Sequence, residues 1–158
     1  MAAIAFYFLH NLILEISPAL LEFIPYYVVE RSMEILIKFK KPLNGSKALI
    51  LGASYKKDID GMRESPSLKL IEIFRERGTE VNYSDSYALK LPKTRRYNYE
   101  LESAELNSET VSKYDLIILS TDHTDFDYKM IAENAKLIID TRNAFEKNEI
   151  SSDKIYKA

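Results

Sequence analysis

The chain has 158 residues, 46% of them apolar and 29% charged, enough to bury one good core, so one domain with an appendage is expected. Its 22 basic and 24 acidic residues are spread along the sequence and leave a net charge of −2, so no broad positive field exists to hold a nucleic acid. The absence of cysteine excludes a disulfide framework, a thiolate zinc site and a cysteine nucleophile, and fits a cytoplasmic protein.

Residues 1–29 carry only two charges, Glu15 and Glu22. The run is interrupted by His10, Asn11, Ser17, Pro18 and Pro25, short of the roughly 20 nearly uninterrupted apolar residues of a spanning helix, and no basic region precedes it. One or two helices packed on the rest of the molecule or on a partner subunit are expected, rather than membrane insertion. From Pro25 to about Lys40, the spacing of Val28, Val29, Ser32, Met33, Leu36, Ile37 and Phe39 predicts a helix, with Pro25 in its first turn. Lys38, Lys40 and Lys41 suit its negative pole, and Pro42, Asn44 and Gly45 end it. This helix either covers a sheet face or belongs to a longer connector that dimerises through its exposed side; the wide stripe favours the second. The chain thus divides into an apolar helical segment and connector helix, 1–44, and an α/β domain, 45–158.

Lys47 to Leu51 reads as a buried parallel strand stopped by Gly52. After a loop from Ala53 to Glu64, Ser65 is an N-cap and Pro66 the first helical residue; Leu68, Ile71 and Phe74 recur on one face until Gly78. Glu80 to Ser84 alternates like a second strand, completing a βαβ unit. Ser86 to Lys113 is polar and reads as loop with room for one short strand and one short helix. Asp115 to Ser120 is a further strand, Phe126 to Ala135 a helix with Phe126, Met130 and Ile131 inward, and Lys136 to Asp140 the next strand. The tail from Glu146 has little to bury. The alternation predicts a doubly wound, Rossmann-like parallel sheet.

Ligands of such sheets bind beyond the carboxyl ends of the strands. The residues there are Tyr55, Lys56 and Lys57; Asp85; Thr121, Asp122 and His123; and Thr141, Arg142 and Asn143. Lys56 and Arg142 suit a diphosphate, the helix start at Ser65 adds backbone N–H groups, and Tyr55 with the small polar side chains suits a base, ribose or sugar. Each has a plainer alternative: Lys56 and Lys57 as solvated loop residues, and Arg142 paired with Asp140 or Glu64. For His123, a loop hydrogen bond is favoured over zinc or a general base. In KKDIDGMRE, Asp58, Asp60, Arg63 and Glu64 lie close enough for ion pairs that lock the loop. Gly45, Gly52, Gly61 and Gly78 never form G-x-G, so the dinucleotide fingerprint is missing.

The string from Gly52 to Tyr87, GASYKKDIDGMRESPSLKLIEIFRERGTEVNYSDSY, resembles the opening of the C-terminal UDP-binding domain of the UDP-glucose/GDP-mannose dehydrogenase family. STDHTDF (Ser120–Phe126) and IDTRNAF (Ile139–Phe145) resemble its next two signatures in order, and PYYVVERSMEIL (Pro25–Leu36) resembles the end of the connecting helix. The wording around Lys56 is most like the UDP-N-acetylhexosamine 6-dehydrogenases. The resemblance implies that Tyr55, Lys56 and Arg142 contact a UDP-sugar, and that Arg63 to Pro66 forms an ordered lead into the helix. It implies an intact relative that oxidises the sugar C6 alcohol to a carboxylate with NAD and a cysteine. Neither the NAD domain nor that cysteine has a counterpart here, so this chain is expected to bind no cofactor, to catalyse nothing alone, and to bind nucleotide sugar weakly. The alternative is a non-catalytic interaction domain that dimerises through its N-terminal helix. Residues 1–24 depart from the family in carrying fewer polar residues.

Overall fold

The computed structural model describes residues 22–62, 65–91, 93, 97 and 99–158. The reading of the apolar segment through residue 21 lies outside them, as do Arg63 and Glu64. Helix α1 covers 22–38, followed by β1 (Lys47–Leu51), α2 (Pro66–Glu76), β2 (Glu80–Ser84), α3 (Ser108–Lys113), β3 (Leu116–Leu119), α4 (Tyr128–Asn134), β4 (Ile138–Asp140), α5 (Ala144–Lys147) and β5 (Ile155–Lys157). The five strands form one sheet in the order β2-β1-β3-β4-β5, every pair parallel.

The apolar runs of β1 and β3 are central because both of their faces are covered, which is what a continuous rather than alternating run requires. Ala48, Ile50, Leu116 and Ile118 point to one face, where Val28, Val29, Ile35 and Leu36 of α1 and Leu68, Ile71 and Phe74 of α2 cover them. Leu49, Leu51, Ile117 and Leu119 point to the other, against Val111 of α3, Ile131 of α4 and Phe145 of α5. The expected doubly wound sheet is therefore present, in three layers.

Helix α2 has the predicted local chemistry: Ser65 Oγ accepts from Ser67 N–H, Pro66 occupies the first turn, and Gly78 follows in a left-handed conformation. Helix α1 differs from expectation. It already includes 22–24, so Pro25 lies inside it, and its inner face carries Ile35 while Ile37 and Phe39 are 61% and 53% exposed. A strict 3.6-residue repeat cannot bury Ile35, Leu36 and Ile37 together, and the sheet selects the first two. Lys40 ends α1 at φ 56°, with Lys41 N–H donating to Leu36 O and Lys40 N–H to Ile37 O, the Schellman pattern on a residue other than glycine.

The polar stretch contains α3, capped by Asn107, and one antiparallel bridge between Lys90 and Glu102. The tail departs from the expectation of a segment with little to bury: Ile155 to Lys157 pair with Ile138 to Asp140 as a fifth strand, and Ile150, Ile155 and Tyr156 are partly buried. Three residues are too few for a periodicity to show.

Candidate functional site

The carboxyl edge of the sheet is held together by its own polar groups. Gly52 ends β1 at φ 78°, and a Cβ placed there lies 2.6 Å from Thr121 Cβ and 2.8 Å from Thr121 N, so the β1 and β3 ends meet without space between them. Ser67 Oγ donates to Gly52 O at 2.9 Å and bonds Ser120 Oγ at 2.7 Å. Thr121 Oγ1 donates to Ser54 O at 2.7 Å, and Thr141 Oγ1 to Leu119 O at 2.8 Å. These two hydroxyls, expected to orient a ligand, are occupied by backbone. The same holds at the start of α2, where Ser67 N–H donates to Ser65 Oγ and Leu68 N–H to Ser65 O.

Beneath this edge lies a buried carboxylate–imidazole pair. Asp85 Oδ2 accepts from Ala53 N–H (2.7 Å) and Ser54 N–H (2.8 Å), and Oδ1 from Tyr87 N–H (2.8 Å) and Ala88 N–H (3.0 Å). His123 Nε2 lies 3.0 Å from Asp85 Oδ2, while Nδ1 accepts from Asp58 N–H at 2.9 Å, which assigns the Nε2–H tautomer. Burial pushes the Asp85 carboxyl up, but the bonds from His123, Ser54 and Tyr87 outweigh it and hold it well below the usual carboxylate range. His123 thus makes the expected loop hydrogen bond, packed between Tyr87 (centroids 4.9 Å) and the edge of Phe126 (5.2 Å).

The predicted ligand residues stand above this floor. Tyr55 is 49% exposed, and Lys56 Nζ lies 5.8 Å from its ring centroid. The two line an open cleft of about 500 Å³ with Ile59, Asp60, Gly61 and Met62. Arg142 is also exposed, and its Nε donates to Ser120 O at 2.7 Å, leaving both terminal nitrogens without a hydrogen bond among the described residues. Arg142 does not line this cleft; it is linked to it through the β3 end, where Ser120 O accepts from its Nε and the adjacent Thr121 hydroxyl donates to Ser54 O, next to Tyr55.

The alternative pairing of Arg142 with Asp140 is not made by its guanidinium. Asp140 accepts instead from the Arg142 backbone N–H (2.9 Å) and from Phe145 N–H (3.0 Å), fixing the turn that contains Asn143 at φ 57°. Glu64, the other proposed partner, lies outside the described residues. Asp58 makes no ion pair with a lysine or arginine among the described residues; its carboxylate accepts from Thr124 N–H (2.7 Å) and the Thr124 hydroxyl. His123 pairs with Asp85 across 38 residues, so no local sequence signal marks the pair.

A doubly wound sheet with exposed cationic and aromatic side chains beyond its strand ends defines a small-molecule-binding α/β domain. The sequence profile of the UDP-glucose/GDP-mannose dehydrogenase family, UDP binding domain, matches residues 49–147, and the chain belongs to this family. It is 32% identical over 134 residues to UDP-N-acetyl-D-mannosamine dehydrogenase of Methanococcus vannielii, an alignment covering 78% of this chain and 28% of that protein. The structure is similar to that of UDP-D-ManNAc dehydrogenase from Pyrococcus horikoshii, with a TM-score of 0.68, 26% identity, and coverage of 86% of this chain and 31% of that one. NDP-N-acetyl-D-galactosaminuronic acid dehydrogenase from Methanosarcina mazei Go1, at TM-score 0.68 and 24% identity over 86% of this chain and 29% of that one, shares the fold. The chain therefore spans under a third of the length of these relatives. Among the described residues, no helix is long and apolar enough to cross a membrane.

Proposed function

We propose that this chain is the UDP-sugar-binding part of an NAD-dependent, cytoplasmic UDP-sugar 6-dehydrogenase, with Tyr55, Lys56 and Arg142 as its ligand contacts. One observation carries the reading: at the ligand edge the buried carboxylates are spent on backbone N–H groups and His123, while Lys56 and Arg142 pair with no carboxylate among the described residues. Two cations without carboxylate partners at the strand ends, one of them near an exposed tyrosine ring, suit a diphosphate joined to a ring. Oxidation at the sugar C6 belongs, by resemblance, to the longer relatives.

NAD does not fit this edge. A dinucleotide fold uses the acid after its second strand for the ribose and a glycine-rich turn for the pyrophosphate. Here Asp85 is filled by four backbone N–H groups and His123, and Gly52 leads into Ala53 and Ser54. No step through NAD is assigned to this chain.

Titration calorimetry with UDP and UDP-N-acetylglucosamine tests the reading. We expect weak binding, since the longer relatives have further walls to offer, and loss of the heat in Lys56→Ala/Arg142→Ala. Undiminished UDP binding by that double variant overturns the site assignment.

A second reading, an interaction domain that dimerises through α1, is favoured by the exposed Phe23, Ile24, Tyr27, Ile37 and Phe39. Sedimentation tests it: a monomer at high micromolar concentration rejects it, and homodimerisation is compatible with both readings.

A further inference from the structure

We infer that His123 is a positioning residue for the ligand edge, holding the Tyr55–Lys56 loop in its binding shape through its Nδ1 lone pair. This inference rests on the proposed UDP-sugar site and adds a device that sets its geometry.

The loop after β1 is fixed on both sides of the two residues that face the ligand. On one side, Ala53 N–H and Ser54 N–H end on Asp85, and Thr121 holds Ser54 O. On the other, Asp58 N–H ends on His123, which is itself bonded to Asp85. Only Tyr55, Lys56 and Lys57 lie between these anchors, and Tyr55 N–H closes the loop onto Gly61 O at 2.6 Å. Both anchors therefore converge on one buried pair, while Tyr55 and Lys56 stay exposed.

Asp58 sits at φ 58°, a left-handed conformation that costs a non-glycine residue about 1 kcal/mol and needs support from its surroundings. The imidazole acceptor for its N–H, and Thr124 on its carboxylate, supply that support. An exposed loop with one anchor missing samples many conformers, and a ligand that needs one of them binds more weakly by the fraction populated.

The two imidazole nitrogens can be separated by substitution. Asn places an acceptor near the Nδ1 position, and Gln places a donor near the Nε2 position. His123→Asn is expected to bind UDP within about threefold of wild type, and His123→Gln about tenfold more weakly, the value of one lost buried hydrogen bond. Equal affinity in wild type and His123→Gln, or tighter binding by His123→Gln than by His123→Asn, overturns the inference.

The pH profile gives a readout that simple packing does not move. The groups facing the imidazole are Asp85 at the end of β2, Asp58 of the β1 loop with Lys57 beside it, Asp125 of its own loop, and the Tyr87 ring; the Tyr128 hydroxyl bonds its carbonyl. Burial disfavours the imidazolium, but Asp85, Asp125 and Asp58 outweigh it and hold His123 above its ordinary range. A second proton goes on Nδ1 and displaces the Asp58 N–H. UDP affinity of wild type is therefore expected to fall on acidification through this titration, and His123→Asn is expected to lack that step, so titration of the UDP phosphate cancels in the comparison. Coincident profiles reject the device.

Amide hydrogen exchange in the ligand-free chain makes the inference testable even if wild type binds no UDP, an outcome that refutes only the proposed function. Exchange at Asp58 is expected to quicken at least tenfold in His123→Gln and little in His123→Asn. Equal protection in the two variants overturns the inference.

Discussion

Both edges of the sheet hold buried aspartates, and Asp115 at one edge is used in the opposite way to Asp85 at the other. At the amino-terminal edge, Asp115 takes the ammonium of Lys41, that of Lys136 at 3.4 Å and the Lys47 N–H at 3.0 Å. Burial pushes its carboxyl up, but these partners outweigh it and hold it below the usual range. At the carboxyl edge, Asp85 takes four backbone N–H groups and His123, and Lys56 and Arg142 of the same edge pair with no carboxylate among the described residues. A carboxylate paired with lysines closes an edge; one paired with backbone fixes loops and leaves the cations for an anion.

The sharpest test of the closed β1–β3 junction is Gly52→Ala. Both its positive φ and the overlap with Thr121 backbone oppose a side chain, so denaturant unfolding is expected to show a loss of more than about 3 kcal/mol. A loss under 1 kcal/mol breaks the picture of strand ends in direct contact.

Asp85→Asn comes next, with an expected loss of about 3 kcal/mol, because the carboxylate is buried and five donors point at it. The sign of its pH dependence follows from the depressed folded-state value. Its contribution is present above the unfolded carboxyl range near pH 4 and is lost as the pH falls toward the folded value. Stability curves of wild type and Asp85→Asn should therefore converge as the pH drops below about 4; a constant gap argues against a charged role.

Asp115→Asn should cost only about 1 kcal/mol, since its lysine partners are about half exposed and screened by solvent. A loss as large as that of Asp85→Asn removes the contrast between the edges. The smallest stability effect is expected for Lys56→Ala/Arg142→Ala: unfolding free energy within about 0.5 kcal/mol of wild type, although UDP binding is lost. Marked destabilisation would recast these cations as structural.

The residues of the candidate site were legible because each follows an apolar run, and the carboxyl end of a buried strand is where such folds bind ligands. Their supports were not. Thr121, Thr141 and Asp85 read equally well as ligand groups, yet each bonds to backbone of a neighbouring loop or strand end. Helix α1 shows the same limit, since a wide apolar stripe does not state which part of it meets the sheet.

Sequence by itself determined the strands β1 to β4, the cap and stop of α2, and the family resemblance, because burial period, N-cap chemistry and a left-handed glycine act within a few residues. Tertiary structure alone decided the fifth strand, the inner face of α1 and the Asp85–His123 pair. The sheet order places β1 between β2 and β3, so the loop after β1 is met from one side by Asp85 and from the other by His123. That encounter is a property of strand order, which no local pattern encodes.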